Sequence, residues 1–85
     1  MPKVVMYVSG YCPYCTMAEK LLRARGGEEI EKIRVDLQPG VRAEMMQRTG
    51  RRTVPQIYIG QVHVGGYDDL AMLDHQGELS GLLAG

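Results

Sequence analysis

The chain has only two cysteines among its 85 residues, and its basic and acidic residues balance. Two cysteines are too few for the several bridges of a small secreted domain, which favours a cytoplasmic protein with redox or metal chemistry. Balanced charge argues against a nucleic acid or an acidic membrane surface as the partner. No apolar run approaches the ~20 residues of a membrane span. The first residues enter a strand pattern at once, so we expect no signal segment.

Phenylalanine and tryptophan are also absent, so other side chains must fill the core. Methionine is flexible and apolar, and it fills irregular gaps in protein interiors well. We therefore predict a core role for five methionines: Met6, Met17, Met45, Met46 and Met72.

A chain of 85 residues predicts one domain, residues 1–85, with no room for a second core. Alternating strand and helix patterns predict an α/β fold of order β-α-β-α-β-β-α, with a right-handed parallel crossover and a closing antiparallel hairpin. The predicted elements are strand 3–8, a helix from 13 to the glycines at 26 and 27, strand 31–37, helix 41–49, strands 56–59 and 61–64, helix 68–76 and a short helical piece through 79–83.

Both cysteines lie in Cys12-Pro13-Tyr14-Cys15, where a strand pattern gives way to a helix pattern. Two thiols this close can close into a disulfide and reopen without unfolding the chain. Cys12 lies at the helix start, where unpaired N–H groups and the positive end of the helix dipole face its sulfur. Cys15 lies one turn deeper. We therefore predict that Cys12 is the attacking thiol and Cys15 the resolving thiol.

The attacking species must be a thiolate, but an ordinary cysteine with a pKa of ~8.5 is only about 3% ionised at pH 7. Lowering that pKa by about two units requires roughly 2.7 kcal/mol. A helix dipole at an exposed end supplies about 0.3–1 kcal/mol. Hydrogen bonds to the sulfur of Cys12 must therefore supply most of the remainder.

The cysteine pair could instead form a structural disulfide or part of a zinc site. A purely structural disulfide would close a loop too short to constrain the unfolded chain much. A zinc site would need four ligands, and only His63 and His75 could join the pair. Those histidines lack the spacing of a His-x₃₋₅-His motif, so redox chemistry is the favoured interpretation.

Two further motifs follow the cysteines: Thr53-Val54-Pro55, and a segment that begins Gly65-Gly66-Tyr67-Asp68. In this order the three motifs resemble a dithiol glutaredoxin of the small bacterial type, over essentially the whole chain. The resemblance implies a thioredoxin-like fold, with a four-stranded mixed sheet flanked by helices and Pro55 in a cis-proline loop. It implies a glutathione-dependent oxidoreductase that reduces protein disulfides and glutathione mixed disulfides.

The resemblance also implies how glutathione binds, as a co-substrate rather than as a tightly held cofactor. The backbone of Val54 would pair with its cysteinyl unit as an added strand does. The amides of Tyr67 and Asp68 would receive the γ-glutamyl carboxylate, and the Asp68 side chain its ammonium group, although Asp68 could also be a plain helix cap. The full predicted set is Tyr14, Arg42, Arg51, Thr53, Val54, Pro55, Gly66, Tyr67 and Asp68.

Some assignments within this set stay open. Arg42, Arg51 and Arg52 could each bind the glycine carboxylate or simply be exposed charges. Many relatives carry lysine where this chain has Ser9, so the thiol of Cys12 is either less acidic than usual or supported by other cations. Relatives often carry cysteine where this chain has Tyr67, so this chain lacks the third thiol of those relatives.

The expected partners are glutathione and disulfide-bonded or glutathionylated proteins, with the chain as a monomer that binds no metal. Two rival interpretations remain. A thioredoxin reductase could replace glutathione as the electron donor, which the Gly65-Gly66 turn and Asp68 argue against. Alternatively, two chains could share an iron–sulfur cluster through Cys12 and two glutathiones, which Pro13 and the competing thiol of Cys15 disfavour.

Overall fold

In the computed structural model, which describes residues 2–85, one mixed sheet is formed by β1 (Val4–Val8), β2 (Ile30–Arg34), β3 (Gln56–Ile59) and β4 (Val62–Gly65). The order across the sheet is β2-β1-β3-β4. β1 and β2 are parallel, whereas β3 is antiparallel to both β1 and β4. The predicted mixed sheet is therefore confirmed.

Four helices complete the fold: α1 (Pro13–Ala24), α2 (Val41–Thr49), α3 (Tyr67–His75) and α4 (Leu79–Ala84). The predicted order of elements is confirmed, and the short C-terminal helical piece is α4. Most ends differ from the prediction by one or two residues, as is usual where helices and strands fray. Among residues 2–85, no helix is long and apolar enough to cross a membrane.

β1 is buried on both faces, as its nearly continuous apolar sequence predicts. Its residues Val4, Met6 and Val8 belong to a core cluster with residues of β3 and of three helices, namely Cys15, Ala18, Leu22, Ile57, Ile59, Leu70, Leu79 and Leu83. Tyr7 belongs to a second cluster with Val35, Met45 and Tyr58. The sheet therefore separates two cores, and its two central strands, β1 and β3, contribute to both.

The prediction that the second strand extends to Leu37 is wrong. The amide of Val35 still donates to the carbonyl of Val8 at 2.9 Å, but β1 ends at that residue. Beyond this point no neighbouring strand continues the ladder, and the chain turns towards α2. Leu37 consequently lies on the surface, with 66% of its area exposed.

The predicted core role holds for Met6 and Met45, which are fully buried, but it is wrong for three other methionines. Met17, Met46 and Met72 are 44%, 38% and 55% exposed. Each lies on a helix whose inner face is already supplied by neighbours, because only one stripe of a surface helix can face the core. In α1 that stripe is Cys15, Ala18 and Leu22.

Strand direction places the three motifs at one end of the sheet. The C-terminal end of β1 runs into the loop before Cys12, while β3 begins just after Pro55. Because β1 and β3 are antiparallel, with Tyr7 opposite Gln56, these two loops lie side by side. The end of β4 joins them, since Gly65 pairs with Ile57 and α3 follows directly.

Candidate active site

The sulfur of Cys12 lies at the N-terminus of α1. Cys12 is the N-cap residue, and its Sγ accepts a hydrogen bond from the amide of Cys15 at 3.1 Å. Pro13 occupies the first helical position, where its missing N–H leaves no bond unmade. The first turn of α1 lies within residues 2–85 and contains no acidic residue. The sulfur thus meets an amide donor and the positive end of the helix dipole.

Cys12 and Cys15 form a disulfide, with their Cα atoms 5.2 Å apart. The two residues differ in access, because Cys15 is buried with 7% of its area exposed, whereas Cys12 is only partly buried. An incoming sulfur therefore reaches Cys12 more easily. This asymmetry favours the order of attack that the sequence predicts.

The Thr53-Val54-Pro55 loop lies beside this disulfide. The Val54–Pro55 peptide bond is cis, as the resemblance implied. The carbonyl oxygen of Val54 lies 3.9 Å from Cys12 Sγ. Backbone atoms of the loop are therefore close to any group bound to that sulfur.

The start of α3 is held by a carboxylate that the sequence analysis did not single out. Asp69 Oδ2 accepts from the amide of Gly66 at 3.0 Å and from Arg51 Nη1 at 2.8 Å. The Arg51 guanidinium, and then the Gly66 amide, hold the pKa of Asp69 below its usual value. The sequence feature that could have revealed this role is the acidic residue at the third position of the helix, as in a capping box. Gly65 has φ +110°, and a side chain there would collide with Asp69.

A groove of about 280 Å³ lies between these elements. It brings together every predicted glutathione ligand except Arg42, and it adds Asp69; its lining is Tyr14, Arg51, Thr53, Val54, Pro55, Gly66, Tyr67, Asp68 and Asp69. The rings of Tyr14 and Tyr67 lie 6.0 Å apart at an angle of 34°. The groove therefore combines an aromatic pair, a loop backbone and a helix N-terminus.

The three candidate arginines occupy different places. Arg51 lines the groove and contacts Asp69. Arg42 lies outside the groove lining, and its Nη1 donates to the carbonyl of Arg52 at 2.9 Å. Arg42 thus supports the chain just before Thr53, while the side chain of Arg52 is exposed.

A second cavity, of about 340 Å³, borders both cysteines and shares no lining residue with the groove. Its lining includes Ser9 and two cations of β2, Lys32 and Arg34. Arg34 makes two contacts of 2.8 Å with Asp36, which keep the pKa of that carboxyl well below its usual range. Lys32 is paired in the same way with Glu19 at 3.2 Å, so both of these cations are neutralised by carboxylates, and residue 9 adds no charge.

Within residues 2–85, no group of three or more His, Cys, Asp and Glu side chains is arranged to hold a metal ion. His63, which the zinc alternative would require, instead has its Nε2 2.9 Å from Gln56 Oε1.

Comparison with known proteins identifies the family. A family model described as Glutaredoxin matches residues 4–64. The chain belongs to the glutaredoxin family. A glutaredoxin of Neisseria meningitidis is 54% identical over 83 residues, covering 98% of both chains.

Two solved glutaredoxins have closely similar structures. A buckwheat glutaredoxin–glutathione complex superposes with a TM-score of 0.88 at 31% identity, covering 98% of this chain and 77% of the other. A dithiolic glutaredoxin of Trypanosoma brucei brucei gives 0.84 at 42% identity, covering 96% and 87%. The thioredoxin-like fold is confirmed, and the chain is an enzyme of the thiol–disulfide oxidoreductase class.

Proposed function

We propose that this glutaredoxin uses glutathione to reduce protein disulfides and glutathione mixed disulfides, with Cys12 as nucleophile and Cys15 as resolving thiol. The groove beside the Cys12 loop carries this proposal. Its volume of about 280 Å³ suits a small extended peptide, and it offers recognition groups along its length. The solved buckwheat relative, whose complex contains glutathione, supports the same ligand class.

Glutathione carries its thiol on a cysteinyl unit between two charged ends, and the groove offers a partner for each part. The backbone of Val54 lies close enough to Cys12 to pair with the cysteinyl unit as an added strand would. Amides at the start of α3 receive the γ-glutamyl carboxylate, and Asp68 receives the ammonium group. Arg51, which is held beside Gly66 through Asp69, adds positive charge at the γ-glutamyl end.

The glycine carboxylate lies at the opposite end of such an extended ligand. We assign Arg42 to this carboxylate. It lies outside the groove lining, but its bond to the carbonyl of Arg52 holds it next to Thr53, where the loop begins. Tyr14 covers the ligand sulfur, with Tyr67 packed near it.

A glutathione mixed disulfide is reduced through Cys12 alone. The Cys12 thiolate attacks the glutathione sulfur, a Cys12–glutathione bond forms, and the target leaves as a thiolate that takes a proton from water. A second glutathione, as thiolate, then attacks the bound glutathione sulfur. This step releases glutathione disulfide and restores the Cys12 thiolate. One free glutathione is therefore consumed for each target thiol released, and the other half of the glutathione disulfide comes from the mixed disulfide.

A protein disulfide requires both cysteines. Cys12 attacks one target sulfur and releases the other as a thiol. Cys15, once deprotonated, attacks Cys12 Sγ, which frees the target and leaves the Cys12–Cys15 disulfide seen in the structure. Glutathione attacks Cys12, and a second glutathione completes the reduction. The low exposure of Cys15 keeps it from being the first thiol to meet a target.

We also propose that the chain works as a monomer in a reducing cytoplasm. Two cysteines in a reversible pair suit such a compartment better than an oxidising one.

Asp68→Asn tests the proposed ligand pocket. We expect the KM for a glutathionylated peptide to rise about three- to tenfold, because a charged hydrogen bond at a partly exposed site is lost. The peptide is turned over with glutathione, glutathione reductase and NADPH, and absorbance at 340 nm is followed. Asp74→Asn is the matched control. It removes another carboxylate of α3, one that pairs with Arg25 at the end of α1, and it should leave KM unchanged. A wild-type protein without glutathione-dependent turnover would refute the proposed function, and equal KM values for both variants would refute the pocket.

The helix N-terminus and the Cys15 amide predict that reduced Cys12 has a pKa below the ordinary ~8.5. Ser9→Lys should lower this pKa further, because the added cation would border the same cavity as both cysteines and favours the thiolate. Thiolate absorbance at 240 nm is titrated in the reduced wild type and variant. Ser9→Gln, similar in length but uncharged, is the control. A pKa that moves equally in both variants, or rises with lysine, would contradict the electrostatic explanation.

A further inference from the structure

Gln56 is the one polar or charged residue that is buried among residues 2–85. It directly follows Pro55 and begins β3. Its side-chain Nε2 donates to the carbonyl of Thr53 at 3.0 Å and lies 3.3 Å from the Thr53 hydroxyl. A fully buried side-chain amide costs free energy unless its donors and its acceptor are all paired. Loss of these hydrogen bonds would therefore destabilise the folded state.

These bonds replace a connection that the sheet cannot supply. The β1–β3 ladder ends at the pair Tyr7 and Gln56. Pro55 has no N–H, so the backbone before Gln56 cannot extend that ladder by donating at this position. The Gln56 side chain reaches back instead and holds Thr53, the first residue of the loop beside the cysteines.

The other end of the amide is fixed by His63 of β4. His63 Nε2 lies 2.9 Å from Gln56 Oε1, and an oxygen there requires that the ring carry its proton on Nε2. Burial, followed by the charge of Arg51, lowers the pKa of His63, which favours the neutral ring. With Oε1 committed to the histidine, Nε2 of the amide must face Thr53.

The histidine ring is itself held in place. It stacks on Tyr58, with ring centroids 4.9 Å apart, and the Arg48 guanidinium lies 4.0 Å from the centroid of Tyr58. Arg48 also donates to the hydroxyl of Tyr7 at 3.2 Å. The orientation of Gln56 is therefore supported by packed groups from β1, α2, β3 and β4.

We propose that Gln56, oriented by His63, is a positioning residue for glutathione recognition: it holds the Thr53–Val54 backbone in the geometry that pairs with the ligand. This inference rests on the proposed function, and it adds a residue that does not line the groove. Because Gln56 does not contact the sulfur, its loss should affect ligand binding and leave the nucleophile intact.

Gln56→Met keeps the length of the side chain but removes its hydrogen bonds. We expect the KM for a glutathionylated peptide to rise roughly tenfold, which lies in the lower part of the range that two ordinary net hydrogen bonds correspond to. The kcat and the rate of Cys12 alkylation by iodoacetamide should stay within about twofold. Gln56→Glu should raise KM at least as much, because a carboxylate cannot donate to the Thr53 carbonyl.

Ile57→Val is the matched control, since it perturbs the next buried residue of β3, whose side chain cannot hydrogen-bond to Thr53. It should lower Tm by a few degrees, as loss of a buried methylene does, and leave KM unchanged. Backbone ¹⁵N relaxation at Thr53 and Val54 gives a readout independent of glutathione. The order parameters of these two amides should fall in Gln56→Met and Gln56→Glu, and remain at the wild-type values in Ile57→Val.

Three results would overturn the inference. One is an unchanged KM in Gln56→Met while the wild type turns over the glutathionylated peptide. Another is unchanged order parameters at Thr53 and Val54 in Gln56→Met, and the third is a KM that rises equally in Ile57→Val. Absence of glutathione-dependent turnover in the wild type would instead refute the proposed function, and with it the recognition role. The relaxation data would then show only whether Gln56 holds the loop.

Discussion

Cys12→Ser is expected to lower turnover of both glutathionylated peptides and protein disulfides by at least about a thousandfold, as loss of a catalytic nucleophile does. A serine hydroxyl is hardly ionised at neutral pH and does not exchange with a disulfide. Cys15 cannot take over, because it is buried with 7% of its area exposed and its own amide points at residue 12. Both substrates are assayed with the glutathione reductase couple.

A folded variant is required for that comparison, so Tm and circular dichroism are measured for Cys12→Ser and reduced wild type. The matched substitution at the second cysteine, Cys15→Ser, removes the same atom one turn away. If Cys12→Ser still turned over the glutathionylated peptide at more than a tenth of the wild-type rate, the assignment of the nucleophile would be wrong.

Cys15→Ser is expected to separate the two reactions. Turnover of a glutathionylated peptide should remain within about threefold, because that route uses Cys12 alone. Reduction of a protein disulfide should fall more than about a hundredfold, since glutathione at millimolar concentration must replace an intramolecular thiol of far higher effective concentration. In the structure that thiol is already bonded to Cys12, with Cα atoms 5.2 Å apart.

The same variant should accumulate the covalent intermediate. Intact-mass analysis after mixing with a protein disulfide should show one target joined to the chain, and peptide mapping should place the bond at Cys12. Equal losses on both substrates would mean that Cys15 supports the fold or the acidity of Cys12 rather than resolving the mixed disulfide.

Much of the fold follows from local patterns. The apolar run of β1 and the Pro13 helix start are signals carried by adjacent residues, and the structure confirms both. The predictions from sequence fail where a residue that is distant in the chain but close in space determines the local structure. The second strand stops early because β1 ends at Val8, and no pattern near Leu37 contains that information.

The candidate site shows the same division. Three motifs, each contiguous in sequence, supply all of the groove lining except Arg51, which the resemblance offered as one of three arginines, and Asp69. Asp69 and Gln56 act through partners brought near by folding: Arg51 for the first and His63 for the second. A polar residue in a strand pattern usually indicates a solvent-facing position, so the buried role of Gln56 could not be read from alternation alone.

Reduction of the Cys12–Cys15 disulfide by two alternative donors tests most directly whether glutathione is the reductant. Oxidised protein is mixed with glutathione, glutathione reductase and NADPH, or with a bacterial thioredoxin reductase and NADPH, and free thiols are counted over time. We predict rapid reduction by the glutathione system, through a Cys12–glutathione intermediate that acid quenching and mass spectrometry detect, and little reduction by the reductase. Rapid reduction by thioredoxin reductase with none by glutathione would contradict the proposed function.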